Sequence, residues 1–132
     1  MGIDWRELRQ RAAAVRDAAY APYSKFKVGA ALLAKDGRVF GGANVENASF
    51  GLTLCAERAA IGHAVSSGAR QFTAIAIVAG DSTPVPPCGM CRQVLAEFAP
   101  RMPVHSYTPA GAVLETTVAE LLPHGFSGDF LE

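Results

Sequence analysis

Apolar residues at Trp5, Leu8, Ala12, Val15 and Ala19 recur every three or four positions, the spacing that lines one face of a helix. Asp4 stands where a cap is needed, Glu7 completes a capping box, and Ile3 faces Leu8 as a staple, so a first helix is predicted from Asp4 to about Tyr20. Ala21-Pro22-Tyr23-Ser24 ends it. Phe26 to Ala34 is apolar, Lys35-Asp36-Gly37 is a turn signal, and Arg38 to Val45 reads as the returning strand of a hairpin. Helical spacing returns from Leu54 to Val65 and stops at Ser67-Gly68. Phe72 to Ala79 is nearly continuous in apolar residues, as in a strand buried on both faces. After a loop rich in Asp, Ser and Pro, a helix is predicted from Gly89 to Phe98. Strands follow from Pro103 to Tyr107 and from Ala112 to Thr117, then a short helix from Val118 to Leu122 before Pro123. The tail is polar except for Phe126, Phe130 and Leu131. This order predicts an α/β domain over residues 1–132, a mixed sheet of about five strands flanked by helices.

The chain has 132 residues, 50% of them hydrophobic, enough for a core that does not depend on disulfides. Twelve basic side chains balance twelve acidic ones, which argues against a nucleic-acid or anionic-membrane partner and favours a small neutral one. No basic segment leads into an apolar one at the N-terminus, and no 18 apolar residues run together, so a soluble cytoplasmic protein is expected. The Asn47-Ala48-Ser49 sequon then has no compartment in which to act.

Three cysteines are an odd number for a disulfide framework. Cys88-Gly89-Met90-Cys91 is a C-x-x-C, open to metal, redox or chance readings, and Cys55 adds a third thiol. Structural zinc takes four protein ligands, whereas catalytic zinc takes three and keeps one position for water. His63, His105 or His124 as a fourth ligand remains the structural alternative. Cys55 and the Cys88/Cys91 pair each fall at a predicted helix start, where N–H groups favour negative charge. Zinc with three thiolates is formally −1, so its water is harder to ionise than on a neutral site. Arg58 or Arg92 donating to a thiolate would offset that charge. Glu57 is the candidate general base, provided that the metal lies over the helix end.

Cys55-Ala56-Glu57 with Pro87-Cys88-Gly89-Met90-Cys91-Arg92-Gln93-Val94-Leu95 resembles the zinc-dependent cytidine deaminases. Tyr20-Ala21-Pro22-Tyr23-Ser24, Phe26-Lys27-Val28-Gly29-Ala30-Ala31, Gly42-Ala43-Asn44-Val45-Glu46-Asn47-Ala48 and Glu120-Leu121-Leu122-Pro123 resemble further segments of its small, single-domain members. The resemblance implies a three-layer cytidine-deaminase fold and deamination of cytidine and 2′-deoxycytidine in pyrimidine salvage. It implies one zinc ion per chain on Cys55, Cys88 and Cys91, with Glu57 shuttling protons between the zinc-bound water, ring N3 and the departing ammonia. It places Asn44 and Glu46 on the ribose, Phe26 against the base or sugar, the Ala56 backbone on the pyrimidine edge, and Arg58 on the thiolates. It also implies a homotetramer in which Phe126 reaches a neighbour's site. Phe50 stands where relatives often carry Tyr. The C-x-E ligand pattern and zero net charge point to a free nucleoside rather than RNA or DNA. A modified cytosine nucleoside such as blasticidin S is the alternative substrate, and a non-catalytic zinc-stabilised binding module the alternative class. Ser24-x-x-Lys27 matches a β-lactamase motif whose companion motifs are absent, and reads as coincidence.

Overall fold

The computed structural model describes residues 2–131. The elements run α1 (Trp5–Arg16), β1 (Gly29–Ala34), β2 (Val39–Ala43), α2 (Ala56–Ser66), β3 (Phe72–Val78), α3 (Gly89–Phe98), β4 (Pro103–Tyr107), β5 (Val113–Thr117) and α4 (Val118–Leu121). They form one five-stranded sheet in the order β2-β1-β3-β4-β5, in which β3 and β4 are parallel and the other neighbours antiparallel.

Strand β3 sorts its side chains into two cores, as the two-residue period requires. Ala74, Ala76 and Val78 face Leu8 and Ala12 of α1, while Ile75 and Ile77 face a larger cluster with Ala60, Ile61, Leu95 and Val118. One helix therefore covers one face of the sheet, and α2, α3 and α4 supply the apolar groups on the other. The fold is the expected three-layer mixed α/β domain.

Several boundaries differ from the sequence reading. Asp4 does cap α1, its carboxylate accepting the Glu7 N–H at 3.1 Å, but the Glu7 side chain turns to Arg11 at 3.9 Å instead of closing the box. The helix stops at Arg16 rather than near Tyr20, because Tyr20 donates its N–H to Asn44 O (2.9 Å) and accepts from Glu46 N–H (2.8 Å). Strand β1 starts at Gly29, not Phe26, and β2 covers Val39–Ala43 within the predicted span. Helix α2 begins at Ala56 and not Leu54, because Leu54 exchanges both backbone hydrogen bonds with Val45 at 2.9 Å. A short 3-10 turn, Phe50–Leu52, lies outside the elements expected from the sequence. By contrast, α3 and β4 have the predicted ends.

Gly42 fixes how closely α2 approaches the sheet. A Cβ there would lie 2.3 Å from Ala60 N and 2.5 Å from Ala56 O, so only glycine lets the first turn of α2 settle on β2. That turn carries Glu57 and is capped by Cys55.

Candidate active site

Two helix starts converge. Cys55 is the N-cap residue of α2 and Cys88 that of α3, neither using its side chain as a cap, and Cys91 lies in the first turn of α3. The three Sγ atoms lie within 4.8 Å of one another, with Cys55–Cys88 at 3.8 Å and Cys88–Cys91 at 3.4 Å. Zinc–sulfur bonds of about 2.3 Å at tetrahedral angles separate sulfurs by roughly 3.8 Å, so the cluster fits a zinc ion in spacing and in donor chemistry. Among the described residues no histidine or carboxylate joins this group as a fourth ligand, which is the count a catalytic site requires.

The thiols share charge unequally. Hydrogen bonding from Cys91, then from Arg58 and Cys88, holds Cys55 well below the usual thiol range, while the same pairing and burial push Cys91 up. Arg58 Nη2 donates to Cys55 Sγ at 3.5 Å and to Thr53 O at 3.0 Å, and the bond to Cys55 raises its own pKa. The expected offset of thiolate charge thus comes from Arg58. Arg92 does not share in it: its Nε and Nη1 donate to Pro87 O (2.7 Å) and Leu121 O (2.9 Å), tying α3 to the preceding loop and to α4.

Glu57, in the first turn of α2, is 6% exposed. Burial pushes its carboxyl up to about 7 and the Cys55 charge adds to this, while its own backbone N–H and Arg58 pull it down. A carboxyl that titrates near neutrality is suited to passing a proton in both directions.

Cys55, Ala56, Glu57 and Cys88 line a cleft of about 280 Å³ beyond the end of β3, with Phe26, Val28, Asn44, Glu46, Thr53, Ile77, Val85 and Pro86 among its other walls. Asn44 is buried, its Oδ1 accepting from Val28 N–H and its Nδ2 donating to Phe26 O, both at 2.8 Å. Glu46 accepts the N–H groups of Tyr23 and Ser24 (3.0 and 3.1 Å) and the Ser24 hydroxyl, which hold its carboxyl below the usual range. Beyond Glu46 the cleft opens into a vestibule of about 420 Å³ where Tyr23 meets Phe50 edge to face at 6.3 Å.

Seven of the ten site residues read from the sequence line this one cleft, and Cys91 and Arg58 stand directly behind it. Phe126 does not line it. Its ring stacks on Phe130 at 5.5 Å and its carbonyl accepts from Gln93 Nε2 at 2.8 Å. Ser24 and Thr53 also line the cleft, outside the residues expected from the sequence; Ser24 is marked there only by its chance Ser-x-x-Lys match, and nothing local marks Thr53.

Three clustered cysteines that could hold a metal, with a buried carboxylate on the same cleft, fit the zinc hydrolase class. The family model described as the cytidine and deoxycytidylate deaminase zinc-binding region matches residues 4–106. The chain is 52% identical over 128 residues to a cytidine deaminase of Halalkalibacterium halodurans, covering 96% of this chain and 97% of that protein. The crystal structure of cytidine deaminase from Burkholderia pseudomallei superimposes with a TM-score of 0.90 at 48% identity, covering 94% and 100% of the two chains. A blasticidin-S deaminase of Bacillus cereus is more distant, 35% identical over 76% of each chain. The chain belongs to the cytidine deaminase family, and it is a hydrolytic deaminase whose family cofactor is zinc.

Proposed function

We propose that the chain, as a single domain over residues 1–132, hydrolyses cytidine and 2′-deoxycytidine to uridine and 2′-deoxyuridine with release of ammonia, in cytoplasmic pyrimidine salvage. The observation that carries this reading is the buried Glu57 carboxyl in one cleft with Cys55 and Cys88 of the cysteine cluster, a cleft that Phe26, Asn44 and Glu46 also line. When bound on Cys55, Cys88 and Cys91, zinc supplies Lewis-acid chemistry that brings the ionisation of water towards neutral pH.

Glu57 takes the proton of the attacking water as the oxygen bonds to C4, and delivers it to ring N3. It then carries the proton of the new C4 hydroxyl to the amine, so that the C–N bond breaks and ammonia leaves. Its raised pKa supports this double duty. Phe26 packs against base or sugar and the Ala56 backbone reads the pyrimidine edge, both from the cleft wall. Glu46 receives the sugar hydroxyls, and Asn44, whose amide has one N–H beyond its backbone bonds, assists it. Arg58 lowers the charge on the thiolates.

A homotetramer also belongs to this reading. Phe126, Phe130 and Leu131 are 57%, 69% and 77% exposed on a single chain, an apolar surface that association would cover. The reading is tested by following the ultraviolet absorbance of cytidine, 2′-deoxycytidine and blasticidin S with zinc-replete protein. Loss of the two nucleosides well ahead of blasticidin S is expected. A zinc-replete protein that leaves every cytosine nucleoside intact would overturn it and favour a binding module.

A further inference from the structure

The Ser24 hydroxyl stands between two parts of the cleft wall. It donates to Glu46 Oε2 and accepts the Phe26 N–H at 3.0 Å. The same carboxylate accepts the N–H groups of Tyr23 and Ser24 on its other oxygen, at 3.0 and 3.1 Å. Two backbone donors on Oε1 and one hydroxyl on Oε2 leave Oε2 with spare acceptor capacity, and Glu46 lines the cleft. The next residue, Lys25, has φ 61°, a left-handed conformation that non-glycine residues adopt only when their surroundings hold them there. The chain reverses at Lys25 so that Phe26 re-enters the cleft directly after Ser24.

We propose that Ser24 is a positioning residue for substrate: it orients the Glu46 carboxylate towards the sugar and couples it to the backbone that carries Phe26. This rests on the reading of Glu46 as the sugar-binding group. Ser24 lines both the cleft and the vestibule and is itself exposed, so replacing it leaves no buried polar group without a partner. Removing its hydroxyl frees one carboxylate oxygen to rotate and to recruit water, which weakens the grip on sugar hydroxyls. The proton relay assigned to Glu57 does not run through Ser24, so the chemical step is untouched.

The test compares kcat and KM for cytidine and 2′,3′-dideoxycytidine, which lacks both ring hydroxyls, in the zinc-replete wild type, Ser24→Ala and Ser24→Thr. A hydrogen bond to a charged group supports an expected rise of roughly tenfold in the cytidine KM of Ser24→Ala. Its kcat should stay within about twofold, and the dideoxycytidine KM, which can sense only the Phe26 contact, should rise far less. Ser24→Thr keeps the hydroxyl and should restore the cytidine KM. Equal rises on both substrates, no rise, or no restoration by threonine would overturn the role of Ser24. A wild type that binds the two substrates equally well would instead remove the sugar reading of Glu46, and the proposal with it.

Discussion

Asn44 holds the backbone on both sides of Lys27: its Oδ1 accepts the Val28 N–H and its Nδ2 donates to the Phe26 carbonyl, each at 2.8 Å. A side chain just past the end of β2 thereby adds to the backbone bond from Asn44 N–H to Val28 O (3.3 Å), and Phe26 is carried on the clamped segment. Asn44→Ala should cost about 1–3 kcal/mol by leaving the Val28 N–H and Phe26 carbonyl without partners, and should raise KM for cytidine. Urea denaturation measures the first effect and initial rates the second. A variant of unchanged stability would mean that the clamp contributes nothing.

Gly42 provides a second check on how the site is held. Gly42→Ala places a methyl 2.3 Å from Ala60 N and 2.5 Å from Ala56 O, both backbone atoms of α2, so the helix must shift. Overpacking of this kind costs about 1–3 kcal/mol or more. Because Glu57 lies in the first turn of α2 and Cys55 caps it, zinc content and activity should fall together. Full zinc content with wild-type activity would show that α2 tolerates the shift.

Arg58 is predicted to tune the metal site through Cys55. Arg58→Ala removes the donor 3.5 Å from Cys55 Sγ, and comparable partners of metal ligands cost about 10–100-fold in affinity or activity. Competition with a chromophoric chelator measures zinc affinity. Arg92→Ala, which removes bonds to Pro87 and Leu121 and none to sulfur, should act mainly on thermal stability. The reverse ranking of the two variants in zinc affinity would contradict the assignment.

Glu57 gives a pH dependence of defined sign. In the folded chain its carboxyl is raised from 4.5 to about 7, so the native state keeps this proton to higher pH than the unfolded state does. Its contribution therefore falls as pH rises from about 4.5 to 7, by about 3 kcal/mol in total. In zinc-stripped protein Glu57→Gln should gain stability relative to wild type across that window and hold the gain above it. The difference between the two proteins reports Glu57 together with its coupling to Cys55 and Cys91. A difference that is flat with pH would mean that the carboxyl is not desolvated.

The sequence was most legible where local chemistry and structure coincide. The ends of α3 and β4 follow from Cys88 before a helical run and from Pro103 opening an apolar strand, and the three cysteines carry their own ligand count. It was least legible where a partner distant along the chain decides the outcome. Tyr20 leaves α1 to pair with Asn44 and Glu46, Arg92 bonds across to Leu121, and Ser24 takes its meaning from a carboxylate 22 positions away. Spacing makes the role of Glu57 depend on a metal lying over the helix end. The structure meets that condition by making Cys55 the N-cap, outside the helical turn that carries Glu57.

The most direct test of the central claim is the turnover of cytidine by wild type and Glu57→Gln, each with its zinc content measured. Wild type should carry about one zinc per chain and deaminate cytidine. Glu57→Gln should keep the metal and lose roughly 100-fold or more in kcat, the scale of general acid–base catalysis. A zinc-replete Glu57→Gln protein with wild-type kcat would contradict the account.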